Sequence, residues 1–198
     1  SRLRAVLTEC SGLISTISSP EQGMKLYAEK LYKADGAYRK YVLAWHRANP
    51  DAVSVDDDLQ SAYEAYQQGQ AWQKQVDTLS QWKFIDMDAQ TNFYEREIAP
   101  VLKSGRKIAV IISDALRYEV AQELSERIDR ESRFSTKLNM QYSVLPSYTQ
   151  LGMAALLPHG SLEFDSKDRL YVLADGRSTK GIEARTAILS AVGGKAIR

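Results

Sequence analysis

One stretch of the sequence limits the possible folds more than any other, namely the apolar run Lys107-Ile108-Ala109-Val110-Ile111-Ile112-Ser113. The run is rich in β-branched residues, and its apolar side chains do not alternate with polar ones. A strand covered on both faces of a parallel sheet has this character, whereas a strand with one wet face alternates. A helix with Ala121, Leu124 and Ile128 on one face is predicted next, so the run indicates an α/β arrangement.

The second half of the chain continues this pattern. Four apolar residues alternate with polar ones from Leu138 to Val144, which predicts a strand. Pro146-Ser147-Tyr148 turns the chain, and Pro158 ends a short helix predicted from Gln150 to Leu157. The remaining predicted elements are short strands at Leu162–Phe164 and Leu170–Ala174 and a last helix at Gly181–Val192.

The first half predicts helices. Ser19-Pro20-Glu21-Gln22 combines an N-cap, a first-turn proline and a capping-box glutamine, and Asn49-Pro50 ends the apolar stripe that follows. Asp56-Asp57-Asp58 suits the start of the next helix, because the helix dipole favours negative charge there. The predicted helices run from Leu3 to Ile17, from Pro20 to Asn49, from Asp56 through Trp72 to Leu79, and from Ala89 to Ile98, where Pro100 is expected to end or kink the last one.

Composition excludes several classes of protein. The 26 basic and 25 acidic residues give a formal net charge of +1, which does not indicate a nucleic-acid binder. The single cysteine, Cys10, excludes an internal disulfide and a cysteine metal cluster. No signal pattern and no apolar run of membrane length is present, so we expect a soluble, cytosolic protein. We also expect the chain to be a piece of a longer one.

Two polar spots follow predicted strands, at the sheet edge where α/β proteins bind ligands. Asp114 comes directly after the apolar run, and Thr149 follows the strand that ends at Val144. A cation held by Asp114 would lower the pKa of a facing Thr149 hydroxyl, which would then attack phosphorus. Each residue has an alternative role as a helix cap, and spacing alone leaves both roles open.

Other polar and aromatic residues are weaker candidates. His46 is interpreted as structural, and His159 is retained as a candidate metal ligand. Tryptophans and tyrosines on the helical stripes are compatible with base stacking or with helix packing, and their positions on apolar faces favour packing. Three aspartates among turn residues are interpreted as solvated: Asp165, Asp168 and Asp175.

Two longer motifs are more specific. The segment Ile111-Ile112-Ser113-Asp114-Ala115-Leu116-Arg117-Tyr118-Glu119 resembles the first motif of the PglZ domain. The segment from Leu145 to Pro158 resembles its second motif, and the later Asp175 to Gly181 stretch also fits in order and spacing. The resemblance covers 106–198 and implies a helical region over 1–104, followed over 105–198 by the N-terminal part of an alkaline-phosphatase-like α/β domain.

The resemblance also implies a function. PglZ proteins occur in bacterial phage-defence systems of the BREX and phage-growth-limitation types, in a superfamily of two-metal enzymes that use zinc or manganese. By this resemblance Asp114 is a metal ligand, Thr149 is both nucleophile and metal ligand, and the remaining ligands lie beyond Arg198. We therefore expect a metal-dependent phosphoester hydrolase whose partners are other defence proteins and, as a candidate substrate, DNA. The alternative is a non-catalytic scaffold that binds those proteins.

Overall fold

The computed structural model of the chain describes residues 2–68 and 76–197. These residues form two compact units, each built from two stretches of the chain. We call the first the helical unit, which comprises Ser1–Gln81 and Ala115–Asn139, and the second the sheet unit, which comprises Trp82–Asp114 and Met140–Arg198. Residues 115–139 cluster with the N-terminal helices, and residues 82–114 cluster with the C-terminal part of the chain. The domain boundary between residues 104 and 105 stays a prediction.

Five α-helices lie in the described part of the helical unit. They span α1 (Arg2–Ile14), α2 (Pro20–Leu26), α3 (Tyr32–Ala48), α4 (Asp57–Gln68) and a helix at Tyr118–Ile128, and a π-helical turn at Tyr27–Leu31 joins α2 to α3. The predicted helices therefore form, with ends shifted by a few residues. The predicted continuation through Trp72 lies outside the described residues, and Leu79 follows a turn rather than continuing a helix.

Local capping explains where these helices begin. The Ser19 hydroxyl accepts a hydrogen bond from the Gln22 N–H at 3.2 Å, and the Gln22 side chain accepts one from the Ser18 N–H at 2.7 Å. The reciprocal arrangement is that of a capping box, displaced by one residue. At the start of α4, the Asp56 carboxylate accepts from the Leu59 N–H at 3.0 Å. Both starts could be read from sequence because the partners are within four residues.

Apolar stripes from three helices and tyrosine side chains form the core of the helical unit. Leu3, Leu7, Cys10 and Ile14 recur along one face of α1, as a buried helical stripe requires. Their buried partners are Leu31, Ala34, Leu59, Tyr63 and Tyr66. The rings of Tyr38 and Tyr63 stack at 3.8 Å. These contacts favour the packing interpretation of the tyrosines over base stacking.

The sheet unit has two small sheets and three short helices. β1 (Asp88–Ala89) pairs in parallel with β2 (Gln141–Tyr142), and β3 (Leu162–Phe164), β4 (Val172–Ala174) and β5 (Arg177–Ser178) form an antiparallel sheet. The α-helices span Ala99–Lys103, Thr149–Ala155 and Gly181–Ser190. Strands β3 and β4 and the last two helices confirm the predicted order of elements in this half.

Three predictions for this unit are wrong, the first entirely and the other two in part. Residues 107–113 form no strand, and Ile111 is 92% exposed; no described residue pairs with this run, and a strand needs a neighbour to satisfy its backbone. The predicted strand from Leu138 to Val144 shrinks to the two residues that β1 pairs with. The predicted helix from Ala89 to Ile98 is a 3₁₀ turn and a π turn, and helix continues past Pro100 because this proline lies in a first turn, where its missing N–H is tolerated.

None of the helices in the described residues is both long enough and apolar enough to cross a membrane.

Candidate functional site

Asp114 and Thr149 lie together in the sheet unit, although they are 35 residues apart in sequence. The Thr149 hydroxyl donates a hydrogen bond to Asp114 Oδ2 at 3.1 Å, and both residues are exposed to solvent. The predicted proximity is confirmed. The shared sheet edge is not, because Asp114 follows an extended segment instead of a strand.

Neither residue caps a helix. The helix after Asp114 begins at Tyr118, and its N-cap residue is Arg117. Thr149 is the first residue of its own helix, whose N-cap residue is Tyr148 and makes no side-chain capping bond. The capping alternatives that the sequence left open are therefore excluded by the structure. What remains is an exposed hydroxyl held by an exposed carboxylate.

The backbone next to Asp114 has an uncommon conformation. Ala115 has φ 56°, in the left-handed region that residues with a side chain rarely occupy. Such a residue costs on the order of 1 kcal/mol and persists where its surroundings hold it in place. It turns the chain sharply after Asp114, so that the carboxylate stands at the tip of a turn.

Residues 117–119, which end the motif that contains Asp114, make their contacts within the helical unit. The side chain of Glu119 is 1% exposed and forms an ion pair with Arg117 Nε at 3.2 Å. The Arg117 guanidinium also lies 3.8 Å from Asp35, a buried carboxylate. The ring of Tyr118 makes an edge contact with Tyr32 at 5.7 Å. The sequence assigned no role to Arg117 and Tyr118. In the structure Arg117 forms ion pairs with buried carboxylates, and Tyr118 packs against tyrosine rings.

Tyrosine hydroxyls complete the surroundings of Asp35. Tyr63 donates to one carboxylate oxygen at 2.8 Å and Tyr27 donates to the other. Burial, and then the hydrogen bond to Asp35, raise the pKa of Tyr63 to about 12, and the same two causes raise the pKa of Tyr27. Both hydroxyls therefore stay protonated as donors across the physiological pH range. This set of buried polar contacts stabilises the helical unit.

The other polar candidates are distributed along the sheet unit. Asp165 and Asp168 each accept from a backbone N–H two residues ahead, at 2.8 and 3.1 Å, as turn aspartates do. Asp175 accepts from Gly160 and Ser161 N–H groups at 2.7–3.0 Å, which hold the pKa of its carboxyl below its usual value. His159 Nδ1 lies 2.7 Å from the Leu157 carbonyl, so this nitrogen carries the proton.

His46 is exposed near the end of α3.

Sequence reasoning missed the role of Asp175, whose carboxylate accepts hydrogen bonds from the loop before β3 and holds that loop in place. The Asp175-Gly176 pair, a common turn dipeptide, was the available signal. Both of its residues adopt positive φ, at 51° and 72°.

The donor atoms at the Asp114–Thr149 pair fit part of a metal site. Carboxylate and hydroxyl oxygens suit divalent cations such as zinc or manganese, and a tight zinc site takes about four ligands. This pair supplies two ligand side chains. In residues 2–68 and 76–197, no group of three or more His, Cys, Asp or Glu side chains is arranged to hold a metal ion.

Comparison with known proteins shows the family of the chain. Residues 93–197 match the family described as the BREX system PglZ alkaline phosphatase-like domain. The chain is 39% identical over 186 residues to the alkaline phosphatase-like protein BrxZ of Escherichia coli O9:H4 (strain HS), covering 88% of this chain and 22% of that protein. It is 35% identical over 182 residues to the alkaline phosphatase-like protein PglZ of Bacillus cereus (strain H3081.97), covering 88% of this chain and 21% of that protein.

These matches define the class of the protein as alkaline phosphatase-like. More narrowly, the chain belongs to the PglZ family, as its two motifs predicted. It spans about a fifth of the length of the curated relatives it matches. No solved structure matches it.

Proposed function

We propose that this chain carries the nucleophile side of a phosphoester-hydrolysing site, with Thr149 as the nucleophile and Asp114 as its partner carboxylate and metal ligand. The observation that carries the proposal is the 3.1 Å hydrogen bond between two exposed side chains, neither of which caps a helix. Membership of an alkaline phosphatase-like family supports the choice of a phosphoester as substrate.

In the proposed reaction the Thr149 oxygen attacks phosphorus. A bond forms between Oγ1 and phosphorus, the bond to the leaving oxygen breaks, and the hydroxyl proton departs toward solvent or the leaving group. Water then cleaves the phosphothreonine and regenerates the hydroxyl. Asp114 accepts the hydrogen bond and thereby fixes the position of the attacking oxygen. A zinc or manganese ion held by the Asp114 carboxylate and the Thr149 hydroxyl would supply positive charge that favours the deprotonated hydroxyl.

The substrates and partners follow from the same family membership. We propose a phosphodiester, DNA included, or a phosphomonoester as the substrate class. We also propose that the protein acts with other proteins of a BREX-type defence system. The formal net charge of +1 favours partners that bring a polyanionic substrate to the site over capture by a basic surface of this chain.

The decisive experiment uses the full-length protein. Thr149→Ala should abolish hydrolysis, because the attacking oxygen is removed. Folding should be nearly unchanged, because the residue is exposed and caps no helix. Thr149→Ser should retain part of the activity, since serine offers a hydroxyl at the same place. Asp114→Ala should abolish activity and lower the metal content measured by atomic emission.

The matched control for this experiment is Thr8→Ala, which removes an exposed helical threonine from the helical unit. A chromogenic phosphodiester, a phosphomonoester and labelled DNA are assayed side by side with zinc and with manganese. Wild-type rates in Thr149→Ala would refute the nucleophile assignment. A wild-type protein that cleaves none of these substrates would instead support the scaffold alternative.

A further inference from the structure

The loop that precedes Thr149 is bridged by a residue from outside the matched family region. Val144 comes before the loop, and Gly152 lies about one turn into the helix that begins at Thr149. The Gln90 side-chain amide reaches both: its NH₂ group donates to the Gly152 carbonyl at 3.3 Å, and its oxygen accepts from the Val144 N–H at 3.3 Å. The two bonds use opposite ends of one amide, so they fix its orientation.

The segment that contains Gln90 is firmly attached to the strand before this loop. The Trp82 indole N–H donates to the Ser143 carbonyl at 2.7 Å. Phe84, which is buried, meets the Tyr142 ring edge-on at 5.1 Å. β1 then pairs in parallel with β2 immediately before Gln90. Residues 82–90 are therefore attached to the strand before the loop in three ways: by aromatic packing, by strand pairing and by the Gln90 amide.

We infer that Gln90 is a positioning residue for Thr149, and that residues 82–92 belong to the functional unit although the family match begins at residue 93. Val144 and Leu151, on either side of the 145–148 loop, already share one apolar cluster, and the amide adds a directional link between the backbones on the two sides. With it, the strand before the loop and the helix after it are held in one arrangement, and Thr149 lies on that helix. This inference rests on the proposed role of Thr149 as nucleophile.

Precise placement of a nucleophile has a large effect on rate, because a displacement of about 1 Å can cost on the order of 100-fold. A residue that acts only through Thr149 should therefore lower kcat and leave KM unchanged. A Cβ added at Gly152 would lie 3.6 Å from Gln90 Nε2, which is an ordinary contact, so the amide lies directly against this turn of the helix.

Two substitutions separate the two bonds. Gln90→Met is close in size and removes both, whereas Gln90→Glu keeps the acceptor for the Val144 N–H and removes the donor to the Gly152 carbonyl. Gln81→Glu is the control, since it makes the same chemical change at an exposed residue nearby. Amide hydrogen exchange of the full-length protein measures the protection of the Val144 and Gly152 N–H groups directly and does not depend on activity.

The Gly152 N–H, which bonds to the Tyr148 carbonyl at 3.0 Å, should exchange about 3- to 10-fold faster in both Gln90 variants, the size expected for one net hydrogen bond. The Val144 N–H should exchange faster only in Gln90→Met. In the phosphoester assay both variants should lose about 10-fold or more in kcat with KM within twofold, and Gln81→Glu should match the wild type.

Unchanged exchange at Val144 and Gly152 in both variants would overturn the inference. So would faster exchange with full kcat, which would leave Gln90 with a purely structural role. An inactive wild type would count against the proposed function instead, and exchange would then still decide whether Gln90 holds the loop.

Discussion

The two units of this chain are stabilised in different ways. The helical unit buries continuous apolar stripes and rings around one core, in which Leu31 and Ala34 are 0% exposed. The sheet unit has three smaller apolar clusters, and its loops are held by single polar side chains that bond to backbone groups. Asp175, Thr179 and Gln90 each act in this way. A unit of the second kind can hold an exposed pair such as Asp114 and Thr149 in place without burying it.

The largest effect should come from the apolar core of the helical unit. Leu31→Ala removes a fully buried side chain and should lower the free energy of unfolding of this unit by about 2–5 kcal/mol, because a cavity remains. Leu43→Ala, at a position 49% exposed on α3, should change it by less than about 0.5 kcal/mol. Hydrogen exchange of the α3 amides measures both. If both substitutions lowered the free energy of unfolding equally, buried apolar area would not be the source of the stability of the helical unit.

A smaller effect is expected where the sheet unit depends on one polar atom. The Thr179 hydroxyl, in a residue 1% exposed, donates to the Val172 carbonyl at 2.7 Å. Thr179→Val keeps the shape and removes this bond, so it should cost about 1 kcal/mol. Thr8→Val, on the surface of α1, should be close to neutral. The hydrogen-exchange rates of the β4 and β5 amides test this prediction. Unchanged rates in Thr179→Val would show that side-chain packing, and not this hydrogen bond, stabilises the β4–β5 hairpin.

The smallest effect concerns charge on the surface of the helical unit, and it depends on pH. Hydrogen bonds from Arg39 and Arg127, at 2.7 and 2.8 Å, lower the pKa of Glu123 from 4.5 to about 2. Because the folded pKa is the lower one, the unfolded state binds more protons between these values. The stabilisation is therefore present above about pH 4.5 and is lost as the pH falls toward 2.

Glu123→Gln should make the stability of the helical unit less dependent on pH over that window. Glu126→Gln, at an exposed residue whose partner is the neutral Gln122 amide, is the control. Urea denaturation at a series of pH values from 2 to 5 gives the comparison. An identical pH profile for Glu123→Gln and wild type would show that the ion pairs of Glu123 with Arg39, Arg127 and Lys40, whose Nζ lies at 3.4 Å, contribute no net stability.

Sequence reasoning succeeded where the causes are local. The start of α2 could be predicted because Ser19 and Gln22 are neighbours, and the stripe of α1 repeats at the helical period. The proximity of Asp114 and Thr149 could be predicted because each was assigned to the end of a strand, and the family resemblance pointed to the same pair. The strand before Asp114 was nevertheless wrong, so the reasoning from sheet edges predicted the proximity of these two residues through an element that does not form here.

What could not be predicted depends on partners that are distant in sequence. β1 and β2 are two residues long and lie more than 50 residues apart, and no periodicity arises in so short a segment. A lone glutamine such as Gln90 has no sequence signature, because its role depends on two backbone groups that the fold brings to it. Arg185, which donates to the Thr179 carbonyl at 3.0 Å and to the Gln150 side chain at 3.3 Å, was missed for the same reason.

The exposed run 107–113 has a practical consequence at the bench. Residues 108–113 of this run carry no charge and are rich in β-branched side chains, and Val110 and Ile111 are 45% and 92% exposed, so the stretch is a template for intermolecular strand pairing. The flanking Arg106 and Lys107 offer some protection, since charges at the ends of such a stretch oppose stacking. Preparations of this chain should therefore aggregate more readily as they are concentrated, and replacing Ile111 with lysine should improve their solubility more than any change in the buried core.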